Sequence, residues 1–276
     1  MRYNPTNLRV KISPTNFRMI HEELIEIAKP VLAGKKVKDL VVGLKYTAVF
    51  LDDLKLGLAF TLRGPFMTKE WLEISTKDPI ELSTLLASTS PIEASIGLAT
   101  INAASQIIAS KERLCPSKSL LEVLELGKED QILLVGLMVP LAWEFCDHVS
   151  KIWAVEDSFS VREGPPNLEV RPWWALDLIL RREKISALIV SGSAITNKTI
   201  DHILELSDEI GLKVALVGPS VPIFSHFWRK KGISVLAASL IKKPSLALRL
   251  IKMGFGSKEL FRSGCLAKIL IELEED

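Results

Sequence analysis

The sequence predicts an α/β protein in two parts. An N-terminal α+β domain spans residues 1–113, and a doubly wound, mostly parallel sheet spans 114–276. Three observations predict this. In the second part, short continuous apolar runs alternate with helix-periodic stretches, the pattern of βα units whose strands are covered on both faces. The first part instead sets one amphipathic helix, a hairpin and two more helices in succession. Between them, Cys115-Pro116-Ser117-Lys118 reads as a linker, and the hydrophobic period changes across it.

Taken in order, Asn16 is placed to cap a helix from about Phe17 to Lys29, with Met19, Ile20, Leu24, Ile27 and Ala28 as its apolar stripe and Pro30 and Gly34 as its stop. Leu40 to Leu51 and Lys55 to Leu62 alternate apolar and polar around Asp52-Asp53-Leu54, which predicts a β-hairpin. Asp78-Pro79 starts a helix with proline at its first position. Ser90-Pro91-Ile92-Glu93 starts another, to about Ser110, and has the spacing of a capping box. One face of this helix carries Ile92, Ile96, Ala99, Ala103 and Ile107. A neighbouring face carries Ser95, Asn102, Ser105 and Gln106, which suits contact with something polar, either a second domain or a ligand.

The buried strands of the second part are read at Gln131–Leu137, Ile152–Val155, Ala187–Val190, Val214–Val217 and Ile233–Ala237, with a last edge strand at Ala267–Leu273. The clearest helix runs from Thr199 to Ile210 and stops at Gly211. Asp157 to Trp173 reads as a long irregular loop holding Arg162, Pro165-Pro166, Arg171 and Trp173, either closing over a cleft or lying on the surface anchored by its tryptophans.

Composition excludes several functions. The chain has 276 residues, 48% of them apolar, with 35 basic and 33 acidic residues for a net charge of +2. That balance gives no electrostatic footprint for nucleic acid or an acidic membrane. The longest apolar run, Ile132 to Trp143, is too short for a span of about 20 residues, and the first residues lack a signal-peptide core. A soluble, cytosolic protein is expected. Cys115, Cys146 and Cys265 are scattered and odd in number, which argues against a disulfide framework. Only two glutamines, Gln106 and Gln131, stand among abundant Lys, Glu, Ile and Leu, a bias toward a thermophile.

The strongest chemical signal is Ser191-Gly192-Ser193-Ala194-Ile195-Thr196-Asn197-Lys198-Thr199, a strand-to-helix turn crowded with hydroxyl and amide groups. Capping needs one such residue. This turn holds Ser193, Thr196, Asn197 and Thr199 besides Ser191, which suits a phosphate, a carboxylate or a metal-bound oxygen. Gly218-Pro219-Ser220 follows the next strand in the same way. The dinucleotide fingerprint is absent, because Gly136-Leu137-Met138-Val139-Pro140 has one glycine where the motif has three, so NAD is not expected. Glu156, about 20 residues past Gly136, stands where an acid can accept from ribose hydroxyls. No Walker lysine, G-x-S-x-G, C-x-x-C or H-x-x-x-H is present. Cys146-Asp147-His148 offers donors that face different ways on a helix, and His21, His202 and His226 stand apart. Ser220 and His226 read as a turn serine and a surface histidine.

The chain resembles the putative heavy-metal chelation proteins, in which an enolase N-terminal-like domain precedes a Rossmann-like domain. The resemblance rests on Val42-Gly43-Leu44 through Gly57-Leu58-Ala59, on Gly97 to Ala104, on Ser191-Gly192-Ser193 with Thr196, Asn197 and Thr199, and on Val217-Gly218-Pro219-Ser220. Ser191 and Lys198 stand where the family more often has Thr and Gly. The resemblance implies a cleft between the two domains. Three functions are carried forward. The first is a protein that binds a small anionic or metal-complexed ligand through Ser193, Thr196, Asn197 and Thr199 with Gly192. Gly218, Pro219 and Ser220 form the opposite wall, and Asn102 closes the site. The second is an enzyme using a nucleotide-like or S-adenosyl cofactor, its ribose on Glu156. The third is a non-catalytic assembly or sensor protein, a homo-oligomer. No catalytic residue and no metal ligand is assigned.

Overall fold

The computed structural model describes residues 18–64, 74, 77–109, 118–157 and 163–273. The first helix, α1 (Ile20–Leu32), starts after Met19 and runs through Pro30. Proline was expected to end it. The carbonyl that Pro30 leaves without a donor belongs to Glu26, and both residues are exposed, so water can take the place of the lost bond. Asn16 lies outside the described residues.

The expected hairpin is a three-strand antiparallel sheet among the described residues: β1 (Val37–Val42), β2 (Tyr46–Leu51) and β3 (Leu56–Phe60). The run from Leu40 to Leu51 is two strands, broken where Gly43 donates its N–H to the Tyr46 carbonyl at 3.1 Å. Every residue of β2 is buried, because both faces of this small sheet are covered. Helix α2 (Pro79–Thr84) has the expected start, with Asp78 Oδ1 accepting from Glu81 N at 2.9 Å. A 3₁₀ turn, Leu85–Ala87, leads to α3 (Pro91–Ile108). The capping box read at Ser90 does not form. Ser88 Oγ accepts from Ser90 N at 3.0 Å and donates to Glu93, so a serine two residues earlier has taken the glutamate. Cys115-Pro116-Ser117 lies outside the described residues.

The second part continues with α4 (Leu120–Val123), β4 (Gln131–Val135), α5 (Val139–Phe145), β5 (Lys151–Glu156) and β6 (Leu168–Pro172). β6 is a strand where a loop was expected. It pairs with β5 alone and carries Glu169, Arg171 and Pro172, features that suit a sheet edge and hide a strand from periodicity. Arg162 lies outside the described residues. A 3₁₀ turn, Trp173–Ala175, leads into α6 (Leu176–Arg182), then β7 (Ile185–Ser191), α7 (Ser193–Thr196), α8 (Ile200–Ile210), β8 (Lys213–Val217), α9 (Ser225–Lys230), β9 (Val235–Ile241), α10 (Pro244–Lys252), α11 (Ser257–Arg262) and β10 (Leu266–Glu272). Gly211 ends α8 at φ 72°, a left-handed position that glycine takes without a Cβ clash.

Among the described residues the large sheet has seven strands in the order β10-β9-β8-β7-β4-β5-β6, all parallel except β10. Alternate strand residues feed two cores. Leu133, Val135, Leu188, Val190, Val214 and Leu216 join one with α1 and α3, while Ile132, Leu134, Ala187, Ile189 and Ala215 join the other with α4 and α5. The first core is therefore continuous with the N-terminal part.

Helix α3 joins the two parts. It packs on β3 and β2, and their other face rests on Ala247, Leu248 and Ile251 of α10 and Leu260 of α11. Two glycines let backbones meet here. A Cβ on Gly57 would stand 1.9 Å from the Ala99 carbonyl oxygen, and one on Gly97 would stand 2.0 Å from Leu86 N. The polar face of α3 meets the large sheet. Gln106 Nε2 donates to the Ser239 carbonyl at 3.0 Å, and its Oε1 accepts from Ile241 N at 3.0 Å.

Behind α3, the start of α1 docks on α8. Ile20 N donates to Asp201 Oδ1 at 2.9 Å, and Lys198 Nζ donates to the Ser88 carbonyl at 2.6 Å. His21 is buried beside them. Burial first, and then the charge of Lys198, hold its imidazole below the ordinary value, against the opposite pull of Asp201 and Glu22. The unfolded chain therefore binds this proton first as pH falls. The stability from this site is whole above about pH 6.5 and is lost as pH drops toward the lowered folded value. His21→Gln should flatten the acid side of a plot of urea midpoint against pH. An unchanged slope would assign that titration to another group.

Candidate ligand cleft

The strand order places a crossover at the middle of the large sheet. From β4 the chain moves outward through β5 and β6, then returns to the other side of β4 with β7 and moves outward the other way. Ligands of open α/β sheets bind at such a point, beyond the carboxyl ends of the strands. Three glycines shape this edge, and each extends the ladder by one bond to the neighbouring strand. Gly136 N donates to the Val155 carbonyl at 2.9 Å, Gly192 N to Val217 at 3.0 Å and Gly218 N to Ala237 at 2.9 Å. Gly136 has φ 92°, and a Cβ there would lie 3.0 Å from the Cβ of Ser191. The turns after β4 and β7 thus touch at the crossover, and a side chain at 136 would separate them.

Above this edge lies a cleft of about 1700 Å³. Its floor includes Gly136, Ser191, Ser193, Asn197, Thr199, Gly218 and Pro219. Glu156 stands on the β5 side, and Ala237, Ser239 and Ile269 of the β9–β10 extension rise on the other. The N-terminal part supplies Lys45, Tyr46, Phe60 and Arg63, and α11 supplies Lys258. Lys45, Arg63 and Lys258 are exposed and have no ion pair among the described residues.

Within the polar turn the side chains divide. Ser193 Oγ donates to Ser191 Oγ at 3.0 Å, so the two hydroxyls form a pair on the floor. Asn197 Oδ1 accepts from Thr199 N at 3.1 Å and from Thr199 Oγ1 at 2.8 Å, which leaves the Asn197 amide nitrogen to face outward. Thr196 is 1% exposed, and its hydroxyl points inward with no protein partner. Gly192 packs against the backbone of Ser220 and Val221. Neither Thr196 nor Gly192 lines the cleft.

Asn102 and Ser220 lie beneath the floor. Asn102 is 1% exposed; its Nδ2 donates to the Leu58 carbonyl at 2.7 Å and to Pro219 at 2.9 Å, and its Oδ1 accepts from Ser105 Oγ at 3.0 Å. Ser220 Oγ accepts from Phe60 N at 2.8 Å and is buried, while His226 stands on the exposed side of α9. Glu156 Oε2 accepts from Leu137 N at 2.9 Å and Oε1 from Asp157 N at 3.1 Å. Its carboxylate ties the turn after β4 in place.

No group of three or more His, Cys, Asp or Glu side chains among the described residues stands together as a metal site. Cys146 Sγ donates to the Trp143 carbonyl at 3.2 Å, and His202 Nε2 lies 3.1 Å from Asp177 Oδ1. The cations at 45, 63 and 258 come from segments far apart in the sequence and leave no local signature there. Lys198, read from the sequence only as a departure from the family's glycine, is half-buried; burial lowers its pKa.

Among the described residues no helix is long and apolar enough to cross a membrane. The DUF364 family model, described as putative heavy-metal chelation, matches residues 119–270, and the DUF4213 model, with the same description, matches 25–105. An uncharacterized protein of Methanocaldococcus jannaschii is 28% identical, over 93% of this chain and 99% of its own length. Two solved structures share the fold, both of DUF364 family proteins of unknown function. The one from Pyrococcus horikoshii has a TM-score of 0.74 at 22% identity, covering 92% of this chain and all of its own. The one from Desulfitobacterium hafniense has a TM-score of 0.68 at 22% identity, covering 91% and 98%.

Proposed function

The chain belongs to the DUF364 family, described as putative heavy-metal chelation, and on that premise we propose that it binds a small anionic or metal-complexed ligand in the cleft over its sheet. The protein would work in the cytosol, with the ligand held between units at 1–113 and 114–276. The observation that carries this reading is the crossover itself, where Ser191, Ser193, Asn197 and Thr199 open onto one cleft beneath Lys45, Arg63 and Lys258. Uncharged hydroxyl and amide groups orient an anion's oxygens, and the lysines and arginine balance its charge. A metal would enter as cargo, wrapped in carboxylate- or phosphate-bearing ligands. Ser193, Asn197 and Thr199 meet the ligand, Gly218 and Pro219 continue the floor beside them, and Glu156 bounds the far end. Gly192, Thr196, Ser220 and Asn102 hold these surfaces from behind.

Inorganic phosphate and nickel citrate are suitable probes. Asn197→Ala and Thr199→Ala should each weaken probe binding by about tenfold, the scale of one charge-assisted hydrogen bond, in isothermal titration at low salt. Wild-type affinity in both variants would refute the assignment. An adenosyl cofactor with its ribose on Glu156 is the second reading. The bonds from Leu137 N and Asp157 N to that carboxylate count against it, and a thermal-shift comparison of adenosyl compounds with phosphate separates the two.

A further inference from the structure

Asn197 and Thr199 line the cleft, but the residue between them does not. Lys198 has φ 64°, a left-handed backbone that is strained for a residue carrying a Cβ. Glycine would take this conformation freely. The lysine side chain leaves the turn on the side away from the cleft and crosses to the N-terminal unit, where its Nζ donates to the Ser88 carbonyl at 2.6 Å. That acceptor is itself fixed. Ser88 Oγ accepts from Ser90 N and donates to Glu93, a carboxylate 8% exposed at the start of α3. Three residues beyond Lys198, Asp201 Oδ1 accepts from Ile20 N at the start of α1. The polar turn is therefore gripped twice from behind by the N-terminal unit and presents two side chains to the cleft in front.

We propose that Lys198 is a positioning residue for the cleft: by pinning the α7–α8 turn to the Ser88 carbonyl, it aims Asn197 and Thr199 at the ligand and couples ligand binding to docking of the N-terminal unit. The inference rests on the ligand reading above and adds a residue that touches no ligand. A strained backbone persists where the surroundings hold it, and here the charged Lys198–Ser88 bond does so together with the bonds from Thr199 to Asn197 Oδ1 that span the residue. By linkage, a ligand that bonds Asn197 and Thr199 also tightens the contact behind them.

Lys198→Gly tests this, because it relieves the backbone strain while removing the contact. In this variant the melting temperature should hold or rise, while amide exchange over residues 196–203 speeds by about tenfold and affinity for phosphate or nickel citrate falls by about five- to tenfold. Lys198→Arg, which keeps a donor, should restore both. Unchanged exchange in Lys198→Gly overturns the proposal whatever the binding data show. So does faster exchange with unchanged affinity. Faster exchange in a protein whose wild type binds neither probe upholds the contact and removes the ligand reading instead.

Discussion

Gly57→Ala is expected to leave the chain unfolded, or nearly so, at room temperature. Its Cβ would fall 1.9 Å from the Ala99 carbonyl oxygen and 2.1 Å from Ala103 N. Both atoms belong to the backbone of α3, so no rotamer change can relieve the clash. β3 would have to back away from a helix that is buried along most of its length, and the small sheet is itself pressed from behind by α10 and α11. Overpacking by one methyl group usually costs about 1–3 kcal/mol. A backbone-to-backbone contact between two fixed elements should exceed about 4 kcal/mol. Urea denaturation followed by circular dichroism measures it, and a folded variant that lost less than about 1 kcal/mol would show that strand and helix can part cheaply.

Asn102→Ala should cost about 3–5 kcal/mol. The substitution strands the Leu58 and Pro219 carbonyls, each losing its bond from Nδ2, and opens a void at a site 1% exposed. Each buried group left unsatisfied costs about 1–3 kcal/mol. Ser105 Oγ keeps its bond to the Asn102 main-chain carbonyl at 2.8 Å, which limits the loss. Because Pro219 is part of the cleft floor, probe affinity should fall along with stability. The same denaturation experiment reads the first effect. A loss below about 1 kcal/mol would mean that water replaces the amide.

The parallel strands were legible because both of their faces are buried, so each leaves an unbroken apolar run that no surface helix shares. β6 was not. Leu168-Glu169-Val170-Arg171-Pro172 is an edge with charge and a proline, and it reads as loop. The division of the first hairpin was hidden by β2, whose residues are buried on both sides and show no alternation. The crowded turn after β7 could be seen, but not how it sorts its side chains: Ser193, Asn197 and Thr199 forward, Thr196 inward, Lys198 backward. That sorting follows from one short helix and one left-handed residue. The polar face of α3 was legible as a contact surface. Its partners were not, since Asn102 and Gln106 bond main-chain groups that exist only once β3, β8 and β9 are in place.

The bonds that close Gln106 onto β9 join positions 133 and 135 residues apart, and Ile20 waits 181 residues for Asp201. On the ribosome, at about 5–20 residues per second, α3 is made on the order of ten seconds before the strand it must meet. During that interval Asn102 can reach Leu58 of β3 but Gln106 has only solvent or a chaperone for company, and nascent-chain folding should finish late.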